Sequence, residues 1–183
     1  ILAPAAWAGD LGVENHFGVR VEFPNTDYAT YSDAQGDFSL NVPVANYSQL
    51  TFSKEHYETV VSNEAITVTE YGSYAVQPLT LTQLTKPVSG QAFLEGMSNH
   101  QGILIAAYEK TLDGEVLGQS ALTDAAGNYA FVALPLGDYR FRYSNEGAAN
   151  SWSRYYVDRS IEPGVAETLP TVSLSNMFVF INN

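Results

Sequence analysis

Residues 123–139 read TDAAGNYAFVALPLGDY, and this stretch decides the fold. Asp124, Gly127 and Asn128 are turn formers, because Asp and Asn side chains bond their own loop and Gly accepts a left-handed backbone. Residues 129–134 then alternate as a half-buried strand does. Pro135 to Asp138 supply a second tight turn. Residues 32–47 read SDAQGDFSLNVPVANY, which is the same phrase. The chain therefore carries one unit twice.

Working outward from the second phrase, Asn99-His100-Gln101-Gly102 is a turn ahead of an apolar strand at 103–108. Asp113-Gly114 marks a hairpin tip. Tyr139, Phe141 and Tyr143 fall on one face of a strand, with Arg140 and Arg142 on the other. Residues 152–157 form another strand, and 165–174 (VAETLPTVSL) close the unit. The first copy repeats this order. Asn15-His16-Phe17-Gly18 turns the chain, and Val19, Val21 and Phe23 alternate with Arg20 and Glu22. Further strands are expected at 28–31, 37–42 and 49–53, with 57–62 and 66–69 as edge or connecting segments and 74–84 closing the copy. Residues 1–13 read as its lead strand, ending at Gly9, and residues 88–94 as the lead strand of the second copy. Residues 85–87 read as a linker whose Pro87 implies a stiff joint and a short rod. No window holds a 3.6-residue period long enough for a helix.

Composition agrees. A chain of 183 residues has room for two units of roughly 90 residues each. It is 45% hydrophobic and 15% charged, enough for packed cores and too little charge for a disordered tail. Its net charge of −12 repels phosphate backbones and anionic bilayers, so nucleic acid and membrane surfaces are poor partners. The absence of cysteine removes thiolate metal sites and disulfides. No apolar run reaches the roughly 18 residues of a membrane-spanning helix. A chain that begins at Ile1 reads as a mature or excerpted form. An extracellular, cell-surface setting is the expectation.

The recurring elements are a Gly before Asn-His-x-Gly, then Ser/Thr-Asp-Ala-x-Gly followed by Asp/Asn and an aromatic, then Val/Leu-Pro-x-x-x-Tyr. Together they resemble the carboxypeptidase regulatory-like repeats of bacterial and archaeal surface proteins. The second copy carries the pattern more fully, through Gly90, Gly102, Leu134-Pro135, Gly137 and Tyr139, whereas the first has Asn46 in place of Gly137. The resemblance implies an all-β chain of two tandem seven-stranded transthyretin-like (Ig-like) antiparallel β-sandwiches, at residues 1–84 and 85–174. It covers nearly the whole chain, and it bears on fold far more than on function.

Each motif has a structural and a functional reading. The Asp-Ala-x-Gly turns reverse the chain. Their calcium reading pairs Asp33 with Asp37, or Asp124 with Asn128, two oxygens per loop and without EF-hand spacing. His16 and His100 recur at one position of the repeat, which argues for a loop hydrogen bond rather than a metal ligand, and no cofactor is expected. Trp7, Trp152 and Tyr156 are candidate plates for stacking a glycan, with Tyr155, Tyr28 and Tyr31 beside them. Tyr155 and Tyr156 must face opposite ways along a strand, so one of them is expected outside. Some related sandwich domains cross-link a lead-strand Lys to a last-strand Asn. Lys86 and Asn176 stand before a lead strand and after a last strand, but the first unit has no Lys before Lys54, so the pattern fails there. Asn46-Tyr47-Ser48 is a glycosylation sequon. No nucleophile elbow, zinc-protease motif or phosphate loop occurs, so no catalytic residue is expected.

The segment 175–183 (SNMFVFINN) is surplus to the second unit. Met177, Phe178, Val179, Phe180 and Ile181 form an apolar, β-prone run that needs covering. It folds back on its own sandwich or is donated as a strand to the next copy, with Ile1 and Leu2 at the accepting end. Donation of this kind is head-to-tail and open, and builds a fibre. The function expected is a non-catalytic extracellular structural protein, a fibre subunit or stalk segment. The alternative is a glycan-binding accessory module of a larger secreted enzyme.

Overall fold

The structure, a computed structural model, describes residues 16–70, 72–145 and 152–176. All regular structure among them is strand. The chain divides into two compact units between Gln83 and Leu84.

The first unit contains β1 (Arg20–Glu22), β2 (Ala29–Tyr31), β3 (Ala45–Tyr47), β4 (Leu50–Ser53), β5 (Val60–Ser62) and β6 (Ile66–Val68). One antiparallel sheet runs β2-β1-β4-β5, and β3 pairs with β6 as a separate ribbon. The core follows from the alternation. Val21 and Phe52 are direct partners across β1 and β4, both buried. Phe38 meets the Phe52 ring edge-on at 5.8 Å, and Tyr47 stacks on Phe23 at 4.2 Å. Two expected strands differ. Among the described residues, 37–42 and the closing segment 74–84 carry the alternation without joining a ladder, apart from an isolated bridge between Tyr57 and Gln83. Alternating burial shows which way side chains point, and a strand needs in addition a neighbour for its N–H and C=O groups.

The second unit contains β7 (Thr85–Leu94), β8 (Leu104–Thr111), β9 (Gly114–Leu122), β10 (Asn128–Pro135), β11 (Gly137–Ser144), β12 (Tyr155–Ile161), β13 (Glu167–Thr168) and β14 (Val172–Leu174). One sheet runs β12-β11-β8-β9. The other is built on β7, with β10 on one side and β13 and β14 on the other. Tyr139, Phe141 and Tyr143 of β11 are fully buried, as the alternation requires, and they pack with Phe131, Ile105 and Val88 in one core. The unit is not wholly antiparallel. β13 and β14 run parallel to β7, opposite Val88–Ser89 and Ala92–Leu94 respectively. Pro170 separates them, and it has no N–H to donate to β7. Residues 85–87 are the first residues of β7 rather than a linker, and Lys86 among them points inward.

The two phrases differ in length by one residue. Pro43 lies seven positions after Gly36, and Pro135 eight after Gly127. The extra residue falls in β10, where the register against β7 shifts between Phe131 and Leu134. A bulge of this kind takes up one added residue without moving the side chains on either side to the wrong face.

Gly90 of β7 lies opposite Tyr129 of β10. A Cβ there would stand 2.3 Å from the Tyr129 hydroxyl, which hydrogen-bonds the Tyr143 hydroxyl at 2.7 Å. Gly90→Ala is expected to displace the buried Tyr129 and cost about 1–3 kcal/mol. Urea unfolding measures this, and an unchanged midpoint would remove the close approach from the account.

Candidate functional site: the paired turn clamps and the outer faces

The motif residues converge on a hydrogen-bonded clamp, present once in each unit. In the second unit the Thr123 hydroxyl is buried between two loops. It donates to the His100 carbonyl and accepts from the Ile103 N–H at 2.9 Å. The backbone adds Thr123 N–H to the Ile103 carbonyl at 3.0 Å, Gly102 N–H to the Thr123 carbonyl at 3.1 Å and His100 N–H to the Ala125 carbonyl at 3.1 Å. Asp124 Oδ1 accepts from the N–H groups of Ala126 and Asn128 at 2.9 and 2.8 Å. His100 Nδ1 accepts from the Leu94 N–H at 3.1 Å, joining the turn to the end of β7.

The first unit repeats the hydroxyl, backbone and Asp bonds of this clamp. The Ser32 hydroxyl, also buried, donates to the His16 carbonyl and accepts from the Val19 N–H at 2.9 Å. Ser32 N–H reaches the Val19 carbonyl at 2.9 Å, Gly18 N–H the Ser32 carbonyl at 3.0 Å and His16 N–H the Ala34 carbonyl at 3.3 Å. Asp33 Oδ1 accepts from Gln35 and Asp37 N–H at 3.0 and 2.9 Å. Gly36 and Gly127 both have φ of 85°, a left-handed conformation that a Cβ would strain. The repeated Ser/Thr, Asp and Gly are therefore structural parts. The Ser/Thr recurs ahead of Asp-Ala in both phrases, and the bonds of its hydroxyl are what the sequence pattern leaves unassigned.

This geometry bears on the candidate ligand sites. The Asp33 and Asp124 oxygens offered to calcium already accept backbone N–H bonds. In the second loop Asn128 also donates its side-chain amide to Asp124 Oδ2 at 3.1 Å. That bond, followed by the backbone donors, holds the Asp124 carboxyl below its ordinary pKa. Asp37 stands where the second loop has Asn128. Among the described residues no three His, Cys, Asp or Glu side chains are grouped to hold a metal ion.

The aromatic candidates do not form a plate together. Trp152 is a core residue, 7% exposed, and offers no face to a sugar. Tyr156 is 52% exposed and Tyr155 50%, so both are outside rather than one. β12 is an edge strand, and Tyr155 lies at its end, opposite the buried Tyr143. The charged residues near Tyr156 are engaged with one another. Arg140 holds Asp158 through two bonds at 2.8 and 2.9 Å and reaches Glu115 at 2.7 Å, while Lys110 meets Asp158 at 2.8 Å. Arg142 lies over the Tyr108 ring at 5.3 Å.

Lys86 does not face Asn176. Its ammonium is buried against Glu167 at 3.0 Å, and Arg159 binds the other oxygen of the same carboxylate through Nε at 2.8 Å. Leu174 is in register with Leu94, so Asn176 lies past that end of β7, whereas Lys86 lies near its start. About 8 strand residues separate the two levels, on the order of 25 Å, which excludes a Lys86–Asn176 cross-link. The expected assembly residues Ile1, Leu2, Met177, Phe178, Val179, Phe180 and Ile181, and the plate candidate Trp7, lie outside the described residues.

No protein-family model matches the chain, and no curated protein does. Solved structures do. The Bacillus anthracis TIE protein matches over 94% of this chain with a TM-score of 0.58 at 16% identity, which shows a shared fold. The chain spans about a third of that protein's length, 33%. The minor pilin of Streptococcus agalactiae matches over 91% of this chain and 86% of its own, with a TM-score of 0.45 at 12% identity. The major pilin subunit of Bacillus cereus matches over 75% and 41%, with a TM-score of 0.38 at 14% identity.

Two outcomes follow from the clamp and the ion cluster. Thr123→Val leaves the Ile103 N–H and His100 carbonyl without their buried partner and is expected to cost about 1–3 kcal/mol in urea unfolding, whereas Thr123→Ser, which copies Ser32, stays near the parent. Equal loss in both variants would show that the methyl, not the hydroxyl, matters. Arg159, then Lys86, holds the Glu167 carboxyl below its usual pKa. Its stabilisation is thus present above the ordinary glutamate range and is lost as pH falls through the lower folded value. Glu167→Gln should flatten the acid side of the stability profile, between about pH 5 and 3, and lower stability at neutral pH. An acid limb identical to the parent's would contradict it.

Proposed function

We propose that the chain is a non-catalytic structural segment of an extracellular, cell-surface protein, a stalk or fibre element built from carboxypeptidase regulatory-like repeats at residues 1–84 and 85–174. One observation carries this reading. The buried hydroxyl, the Asp carboxylate and the turn backbone of the motif make bonds that hold their own unit together, and these bonds recur in both units. The outer face of the second unit supports the reading too, because Arg140 there is neutralised by Asp158 and Glu115.

Joining to neighbours is by terminal strands. The apolar segment 177–181 adds to the edge of the next copy, head to tail, with Ile1 and Leu2 at the other end. This mode needs no bound ion and no membrane insertion, and no helix among the described residues is long and apolar enough to cross a bilayer. The alternative, a glycan-binding accessory module, retains Tyr156 but loses Trp152 to the core.

Sedimentation velocity on the whole chain and on a chain lacking residues 175–183 tests the proposal. The expected result is concentration-dependent linear multimers of the first and folded monomers of the second. Truncated chains that still polymerise would refute strand donation. Glycan binding by the whole chain that is lost on Tyr156→Ala would favour the accessory-module reading instead.

A further inference from the structure

The registers of the sheet β12-β11-β8-β9 define its outward face, because residues paired across strands share a side. On β11, Tyr139, Phe141 and Tyr143 point to the core, so Arg140 and Arg142 point out. Arg142 is in register with Tyr156 of β12 and with Ala106 of β8. The row on one side of it pairs Leu104 with Leu122. The row on the other side holds Leu117, Tyr108, Arg140 and Asp158. Leu117, Leu122 and Tyr156 are 51%, 63% and 52% exposed. A guanidinium thus sits in an apolar and aromatic surface patch, four strands wide and about 15 Å across.

The charge of Arg142 is unmatched. Arg20, Lys86, Lys110, Arg140 and Arg159 each hold a carboxylate. The acids on the face of Arg142 are taken. Asp158 is bound by Arg140 and Lys110, Glu115 by Arg140, and Asp138 by the Ser160 hydroxyl. Among the described residues no carboxylate pairs with Arg142, whose guanidinium lies over the Tyr108 ring at 5.3 Å. Its Nε is buried and has no hydrogen-bond partner. A cation partly withdrawn from water and without a counter-charge gains more from a carboxylate than one in open solvent does.

We propose that this patch docks an acidic segment of a partner protein, in which one Asp or Glu carboxylate is set among large apolar side chains. The carboxylate bonds the Nη end of Arg142, since Nε is covered. It stands beside the Tyr156 ring, and the flanking apolar side chains pack on Leu104, Leu117 and Leu122. Two features favour a peptide over an acidic sugar. Leucines in both neighbouring rows offer apolar area and nothing to a hydroxyl. The groups that would meet sugar hydroxyls, Asp158, Glu115 and Asp138, are bonded already. This partner comes in addition to the structural role, and its docking does not depend on strand donation by the tail.

Capped heptapeptides with Asp, Asn or Lys at the centre and Leu, Phe or Tyr on either side test this against the whole chain by fluorescence anisotropy. The Asp peptides should bind about tenfold tighter than the Asn peptides. Arg142→Gln should abolish that preference, Arg142→Lys should keep part of it, and Tyr156→Ala should weaken the Asp peptides. In NMR the Arg142 Nε–H signal of the parent chain should shift with Asp peptides and not with Asn peptides, a reading that needs no variant to fold. Equal binding of Asp and Asn peptides, a preference that survives Arg142→Gln, or an unmoved Arg142 signal would overturn the proposal. So would binding of oligogalacturonate that is lost in Arg142→Gln while the peptides show no Asp preference, which would assign the patch to a sugar acid. Tail-driven multimers should be the same in Arg142→Gln as in the parent, so failure of strand donation is read separately.

Discussion

A buried hydroxyl between two loops is the constraint on which each unit rests. Ser32 and Thr123 each take one N–H and give one proton to a carbonyl, so a crossing of loops that would bury unpaired backbone is satisfied by a single side chain. A buried polar group with no partner costs roughly 1–3 kcal/mol. The clamp thus sets where the chain leaves the His-x-Gly turn, and with it the phase of the following strand. Phase decides which side chains reach the core, because a one-residue slip turns a strand inside out.

On this shared frame the two units diverge. Strands of the first are three or four residues long, whereas five of the second have eight residues or more. In the second unit β11 alternates, with Tyr139, Phe141 and Tyr143 buried, and pairs along its length with both β8 and β12. In the first unit, Pro24 and Asn25 break the run after Phe23, and Asn25 and His56 have positive φ, the non-glycine cases among the described residues. Short strands make a unit that depends more on side-chain packing, such as Phe38 against Phe52, than on ladder length.

Much of this was legible in the residues. The duplicated phrase located both clamps, the alternation at Tyr139, Phe141 and Tyr143 located the core face, and Asp113-Gly114 located a hairpin. Recurrence of His16 and His100 pointed to a loop bond, and His100 makes one. Other features needed coordinates. Parallel pairing of β13 and β14 leaves no local mark in sequence, because it depends on the direction from which the chain returns. Lys86 and Asn176 both flank the second unit in sequence, yet they sit at opposite ends of β7. Trp152 is a plate candidate in sequence with core packing the favoured reading of such aromatics, and its neighbours place it in the core.

The central claim is that one hydrogen-bonded clamp, made twice, holds both units. Native-state hydrogen exchange of the Val19 and Ile103 amides tests it most directly, since each donates to a buried hydroxyl. Both amides should exchange only through global opening of their own unit, as slowly as the best-protected core strands. Exchange of either at the rate of an open loop would contradict the claim.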